Sequence, residues 1–346
     1  MNTALDTNTI ENLLPAGYTS GPGNVEDYKL LFELVNAYAL HLTGSVDVVD
    51  PELLRVDWED PKFQPEKSTR WVHAPDGTLV GNVEVWDAAN PPVHPWIWGC
   101  VHPDHFSKGI GTYLVTWAEQ RARQSIDRVP ADLRLAPRTG IVSQNKEARA
   151  LFESRGWKYI RSYYRMETSF DGPPAVPPAP DGIIIRPYDP ATEFDAVVHT
   201  LLDSFRDHFG FVVRPFEEER ESFQHHFLND PLYTPELWFV AMDGSEMAGI
   251  CINRPEDYEN PENGFVNELG VRRKWRKRGL GTSLLKTAFS AFHRLGRKGA
   301  ALGVDADSLT GALRIYEGAG MHVARQFDNF EKEIRAGREI STQQID

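Results

Sequence analysis

The chain repeats itself, and that constrains its fold more than any other feature. Asp76-Gly77 and Asp243-Gly244 each join two strand-like runs as hairpin turns, and they lie 167 residues apart. Val101-His-Pro-Asp-His-Phe-Ser-Lys-Gly-Ile-Gly111 parallels Val271-Arg-Arg-Lys-Trp-Arg-Lys-Arg-Gly-Leu-Gly281 at an offset of 170. Ala148-Arg-Ala-Leu-Phe-Glu-Ser-Arg-Gly156 parallels Ala312-Leu-Arg-Ile-Tyr-Glu-Gly-Ala-Gly320 at an offset of 164. Three matches in one order at a near-constant offset mark a tandem duplication of one domain, not a short-period solenoid.

Five prolines in the fourteen residues Ser169–Gly182 predict a stiff, extended linker between the copies. The expected division is therefore 1–168, a linker 169–182, and 183–346. Each copy reads as strand, one or two helices, a strand hairpin, a third strand, a helix, a strand, a short helix and two final strands. In the second copy the late elements are expected at 265–272 (strand), 280–295 (helix), 299–304 (strand), 309–318 (helix), 321–326 and 328–334 (strands). The fold class is α/β of the mixed α+β kind, with a mostly antiparallel mixed sheet flanked by helices in each domain.

The segment Val271–Gly281 carries the most chemistry. A strand, a basic turn and two glycines precede an apolar-periodic helix. Unpaired N–H groups and the helix dipole at such a start attract anions. Gly279 and Gly281 let a phosphate approach the backbone, and Arg276, Lys277 and Arg278 add charge. A solvated helix start is the alternative. The cluster stands against an acidic background, with a formal net charge of −13, which argues against general nucleic-acid binding. Cys100 and Cys251 make no metal spacing or disulfide framework, so a reducing cytoplasm is expected. No run is long and apolar enough to suggest a membrane span.

Arg276-Lys-Arg-Gly-Leu-Gly281, after a strand ending in Val271, resembles the acyl-CoA motif of the GNAT acetyltransferase superfamily. The later Ala312–Tyr316 helix with Gly320-Met321 is similar to that family's next segment. The resemblance covers about 17–168 and 182–335 and implies two tandem GNAT-like domains. It assigns acetyl-CoA as cosubstrate, held by Leu269, Gly270, Val271, Arg276, Lys277, Arg278, Gly279, Leu280, Gly281 and Thr282. Tandem members include mycothiol synthase, which has a similar domain arrangement. A substrate-contacting carboxylate that it places six residues before the strand's final valine falls on Phe265 here, so its substrate is not carried over.

The copies are unequal. Phe106 stands where the second copy has Arg276, Phe152 where it has Tyr316, and Ile97-Trp98 where it has Asn267-Glu268. The first domain is thus expected to be catalytically degenerate and the second active. An amine nucleophile with a pKa near about 10 needs a base. Glu268 is the candidate, with an exposed strand residue as its alternative. The resemblance puts Tyr316 near the leaving sulfur as a proton donor; a packed tyrosine is the other reading. Asn267, Asp207 and His208 are candidate acceptor contacts. For the last two the alternative is a helix C-terminus capped by Gly210. No metal is expected.

The function expected is direct acetyl transfer from acetyl-CoA to a primary amine of a small molecule, by an N-acetyltransferase acting as monomer or homodimer without nucleic acid or membrane. A protein or peptide amine acceptor, a non-catalytic acyl-CoA sensor, and another pyrophosphate binder are the alternatives.

Overall fold

A computed structural model describes residues 10–308 and 311–344. The chain forms two compact units, Met1–Arg161 with Phe327–Ile340, and Ser162–Gln326 with Ser341–Asp346.

In the first unit the strands are β1 (Thr19–Gly21), β2 (Thr69–His73), β3 (Leu79–Trp86), β4 (Trp96–Val101) and β5 (Arg138–Val142). Residues 327–331 of β12 (His322–Glu331) complete the sheet. The order is β1-β2-β3-β4-β5-β12, antiparallel except for the β4–β5 pair. Helix α1 (Tyr28–Thr43) buries Leu31, Leu34 and Val35 against Trp71, Leu79 and Cys100. Helix α2 (Ile110–Arg123) buries Ile110, Tyr113 and Leu114 against Val72, Val80 and Val83. Helix α3 (Lys146–Ser154) adds Phe152 to that second cluster.

The second unit repeats the plan with residues 162–169 of β6 (Lys158–Ser169), β7 (Ile183–Pro187), β8 (Phe239–Asp243), β9 (Glu246–Arg254), β10 (Asn263–Val271) and β11 (Gly299–Asp305). The order is β7-β8-β9-β10-β11-β6. Strands β10 and β11 are parallel; β7–β8, β8–β9, β9–β10 and β11–β6 are antiparallel. Helices α4 (Phe194–Phe205) and α5 (Phe216–Phe223) pack on one face. Helices α6 (Leu280–Arg294) and α7 (Ala312–Gly318) pack on the other. On α6 the apolar residues Leu280, Leu284, Leu285, Ala288, Phe289 and Phe292 recur at helical spacing and are all buried. Gly264 is required beneath that helix, because a Cβ there would lie 2.3 Å from the Phe292 ring.

Three expectations change in detail. The two strands expected at 321–326 and 328–334 are one strand, His322–Glu331. No glycine or proline interrupts that run, so nothing breaks it. Its residues 327–331 pair with β5, while residues 163–169 of β6 pair with β11. The units therefore divide differently from a cut at 168 and 183. The proline-rich stretch packs along its own unit. Phe170 packs on Phe289 with ring centroids 5.6 Å apart, and Ser283 Oγ donates to Pro178 C=O at 3.2 Å. Helix α7 begins at Ala312; residues 309–310, where its start was expected, lie outside the described residues. None of the described helices is long and apolar enough to cross a membrane.

Candidate active site

The site in the second unit begins with an irregularity in β10. Register against β9 shifts between Val266 and Glu268, so Asn267 is the bulged residue. Parallel pairing with β11 runs from Asn263↔Gly299 to Val266↔Leu302 and goes no further. Beyond that point β10 is bonded on the β9 side. Arg272 N–H donates to Ala248 C=O at 3.0 Å. Antiparallel alternation then puts Gly270 and Glu268 in hydrogen-bonded pairs with β9, leaving the N–H and C=O of Leu269 and Val271 facing the opening. Val271 C=O accepts from Arg276 Nε at 2.9 Å. The two N–H groups remain as donors.

Gly270 has no side chain because α4 lies directly on it. A Cβ there would meet Ser204 Cβ at 2.9 Å and Phe205 at 3.4 Å. Glu268 sits on that same face, opposite Ile252 and diagonal to Arg254, which pairs with Phe265. Burial pushes the Glu268 carboxyl up to about 7, opposed by the Arg254 guanidinium. No hydrogen bond reaches this carboxylate among the described residues. Arg254 is itself fixed, paired with buried Asp230 and stacked over the Tyr258 ring at 4.2 Å.

Tyr316 comes from α7 and is 7% exposed. Burial, then Cys251 and Glu268, push its phenol well above the usual tyrosine range. No hydrogen bond uses its hydroxyl among the described residues. Cys251 is buried on β9 opposite Leu269, and burial pushes its thiol up to about 12. Tyr316 and Glu268 are thus two titratable groups within electrostatic reach of each other. One is held protonated; the other is poised near neutrality.

The loop after β10 divides its charges. Arg276 turns inward, donating to Val271 C=O, to Ser204 C=O at 2.8 Å and to Asp207. Arg273 also grips Asp207, through Nε at 2.9 Å and 3.1 Å. Asp207 is buried, and the Arg273 and Arg276 contacts hold it down at about 2. The carboxylate expected to meet a cationic amine is therefore already matched by two guanidinium groups. The His208 ring lies tilted against Phe205 with centroids 4.2 Å apart, and burial with the nearby Arg276 charge pushes it down to about 4. These two residues behave as the end of a helix region, with Gly210 in the left-handed conformation.

Lys277, Arg278 and Gly279 are exposed. Lys277 and Gly279 have φ of 61° and 84°, and the first intrahelical bond runs from Ser283 N–H to Gly279 C=O at 3.1 Å. The N–H groups of the opening turn of α6, through Thr282, accordingly precede any helical partner. Leu280 is buried, so only its backbone can serve a ligand. Gly281 answers to packing rather than to phosphate approach alone: a Cβ there would meet Ile315 Cδ1 at 3.2 Å. Asn267 Oδ1 is buried without a partner among the described residues.

Sequence reasoning missed Arg254. It was not legible without the β9–β10 register, which depends on the bulge.

The first unit has the same opening. Parallel pairing of β4 with β5 covers Trp96↔Arg138 and Ile97↔Thr139, and His102 N–H donates to Val80 C=O at 2.8 Å. A cavity of about 290 Å³ lies there, lined in part by Gly99, Cys100, Gly109, Thr139 and Phe152. Trp98 occupies the register position of Glu268, opposite Glu84. Phe106 packs edge-on to His41 and Tyr38 in place of the Arg276–Asp207 contact.

Comparisons with known proteins show the family. The model of the "Acetyltransferase (GNAT) family" matches residues 33–157 and again 196–321. A mycothiol acetyltransferase of Salinispora arenicola is 27% identical over 80% of this chain and 85% of its own length. One from Catenulispora acidiphila is 24% identical over 71% and 75%. The crystal structure of a GCN5-related N-acetyltransferase from Sphaerobacter thermophilus superposes with a TM-score of 0.80 at 29% identity, covering 95% of this chain and 100% of that one. A tandem GNAT protein from the clavulanic acid biosynthesis pathway gives 0.67 at 16%, covering 93% and 100%, a likeness of fold.

Proposed function

The chain belongs to the acetyltransferase (GNAT) family, and we propose that its second unit transfers an acetyl group from acetyl-CoA directly to a primary amine of a small molecule. The observation that carries this reading is the placement of Glu268 and Tyr316, within electrostatic reach of each other, beside an opened strand that offers two N–H donors. The curated relatives named as mycothiol acetyltransferases support a small amine acceptor without identifying it.

The residues present fit acetyl-CoA. Lys277, Arg278 and the first turn of α6 offer positive potential to a diphosphate. Bound acetyl-CoA would supply a thioester carbonyl for the amine to attack and a sulfur that leaves. Glu268 takes the ammonium proton, directly or through water. A carboxylate near pH 7 is well matched to that task. The N–H groups of Leu269 and Val271 stabilise negative charge on the carbonyl oxygen. Tyr316, kept protonated by burial, gives a proton to the departing sulfur. Asn267 Oδ1 offers an acceptor to the incoming amine. Neither cysteine is used, since both are buried thiols.

Incubation of the protein with acetyl-CoA and a panel of small amines, read by mass spectrometry, tests this. An N-acetylated small product supports it. Acetyl-CoA binding without transfer to any amine would leave a sensor, and transfer confined to peptide amines would move the acceptor to protein.

A further inference from the structure

A second cavity in the second unit lies outside the acyl-transfer site. Helix α4 turns Val197, Val198 and Ser204 to the sheet side, while His199, Asp203 and Arg206 share the opposite stripe. A cavity of about 390 Å³ sits against that stripe, closed by Phe211, Val213 and Arg214, by Phe216 and Glu219 of α5, and by Arg272. That volume is in the range of small-molecule pockets.

Its walls carry three arginines and two carboxylates, a local excess of positive charge in a chain of net charge −13. The carboxylates do not use all the donors. Arg272 Nε donates to Asp203 Oδ2 at 2.7 Å. Arg214 gives one terminal nitrogen to Glu219 at 3.1 Å, while its Nε is buried without a partner among the described residues. Arg206 reaches Asp203 only at 4.0 Å, too far for a hydrogen bond, and its side chain is 64% exposed. The terminal guanidinium nitrogens that the carboxylates leave free are suited to planar anionic oxygens. The rest of the wall is flat or apolar. His199 stacks on Phe216 with centroids 3.7 Å apart and planes 5° from parallel, and Leu202, Phe211 and Val213 adjoin.

We propose that this cavity binds a small organic anion with at least two charged oxygen groups on a flat or apolar body, held by Arg206, Arg214 and Arg272. The proposal does not rest on acyl transfer.

Calorimetric titration of the full chain with benzene-1,3,5-tricarboxylate and with phenyl phosphate tests it, the two probes separating carboxylate from phosphate ligands. Saturable binding of at least one is expected. Arg206→Ser should weaken it roughly tenfold, the worth of one charge-assisted hydrogen bond. Among the described residues Arg206 makes no hydrogen bond through its guanidinium, so the variant should fold. Arg214→Met should weaken binding too, with a thermal melt checking its fold. Reversing Lys277 and Arg278 to Glu should leave it intact. No heat with either probe, or heat that survives Arg206→Ser, or heat lost only with Lys277 and Arg278, overturns the proposal.

Discussion

Both copies place a carboxylate on the same face of the same pair of strands, but one strand apart. In the first, Glu84 lies on β3 opposite Trp98; in the second, Glu268 lies on β10 opposite Ile252. Glu84 accepts from Trp58 Nε1 at 3.1 Å, Trp86 Nε1 at 2.9 Å and Asn82 Nδ2 at 3.2 Å, and is 5% exposed. It is a structural acceptor for indoles. Glu268 keeps its lone pairs and a raised pKa. Duplication preserved the opened strand in both units, so the opening by itself does not tell them apart. What separates the copies is whether the acid on the β-pair is free of hydrogen bonds, and whether the short helix brings a phenol or Phe152.

That contrast can be broken by substitution. Glu268→Gln should lower kcat by about a hundredfold or more in an acetyl-transfer assay, as expected for losing a general base. The same variant should be no less stable at pH 8. A carboxyl whose pKa is raised on folding costs stability as pH rises from the unfolded value towards the folded one near 7. Tyr316→Phe, which copies the first domain, should lower kcat roughly tenfold with little change in acetyl-CoA affinity, because a thiol leaves with modest help. Unaltered turnover would remove Tyr316 as the acid.

Arg276→Ala should cost stability rather than chemistry. It withdraws one of two guanidinium partners from buried Asp207, a loss of about 1–3 kcal/mol in a denaturant melt. The smallest effect sharpens the tuning of Glu268. Arg254→Gln removes the charge that opposes burial, so the carboxyl should titrate higher. The acid limb of kcat/KM, where activity rises as Glu268 loses its proton, should move to higher pH by less than about one unit. Arg254→Lys should restore it. A limb that does not move would exclude Arg254 as a tuning group.

The duplication, the hairpin turns and the basic loop were legible because each rests on local signals: Asp-Gly pairs, glycines at positive φ, and helical periodicity. The fate of Arg276 was not. Its partner Asp207 lies 69 residues away, and only the packing of α4 on Gly270 brings them together. The same holds for Arg254, whose relation to Glu268 depends on a one-residue bulge that no turn residue announces. The single strand β12 was expected as two because strand length, without a breaking residue, does not reveal which sheet a strand joins.

The most direct test pairs the two loops. Turnover should be measured side by side for Lys277→Glu with Arg278→Glu in the second unit and for Lys108→Glu in the first. The account predicts that the second-unit pair raises KM for acetyl-CoA roughly tenfold, from lost contact with phosphate charge, while Lys108→Glu leaves turnover unchanged. Loss of turnover with Lys108→Glu and none with the pair would contradict it and put the chemistry in the first unit.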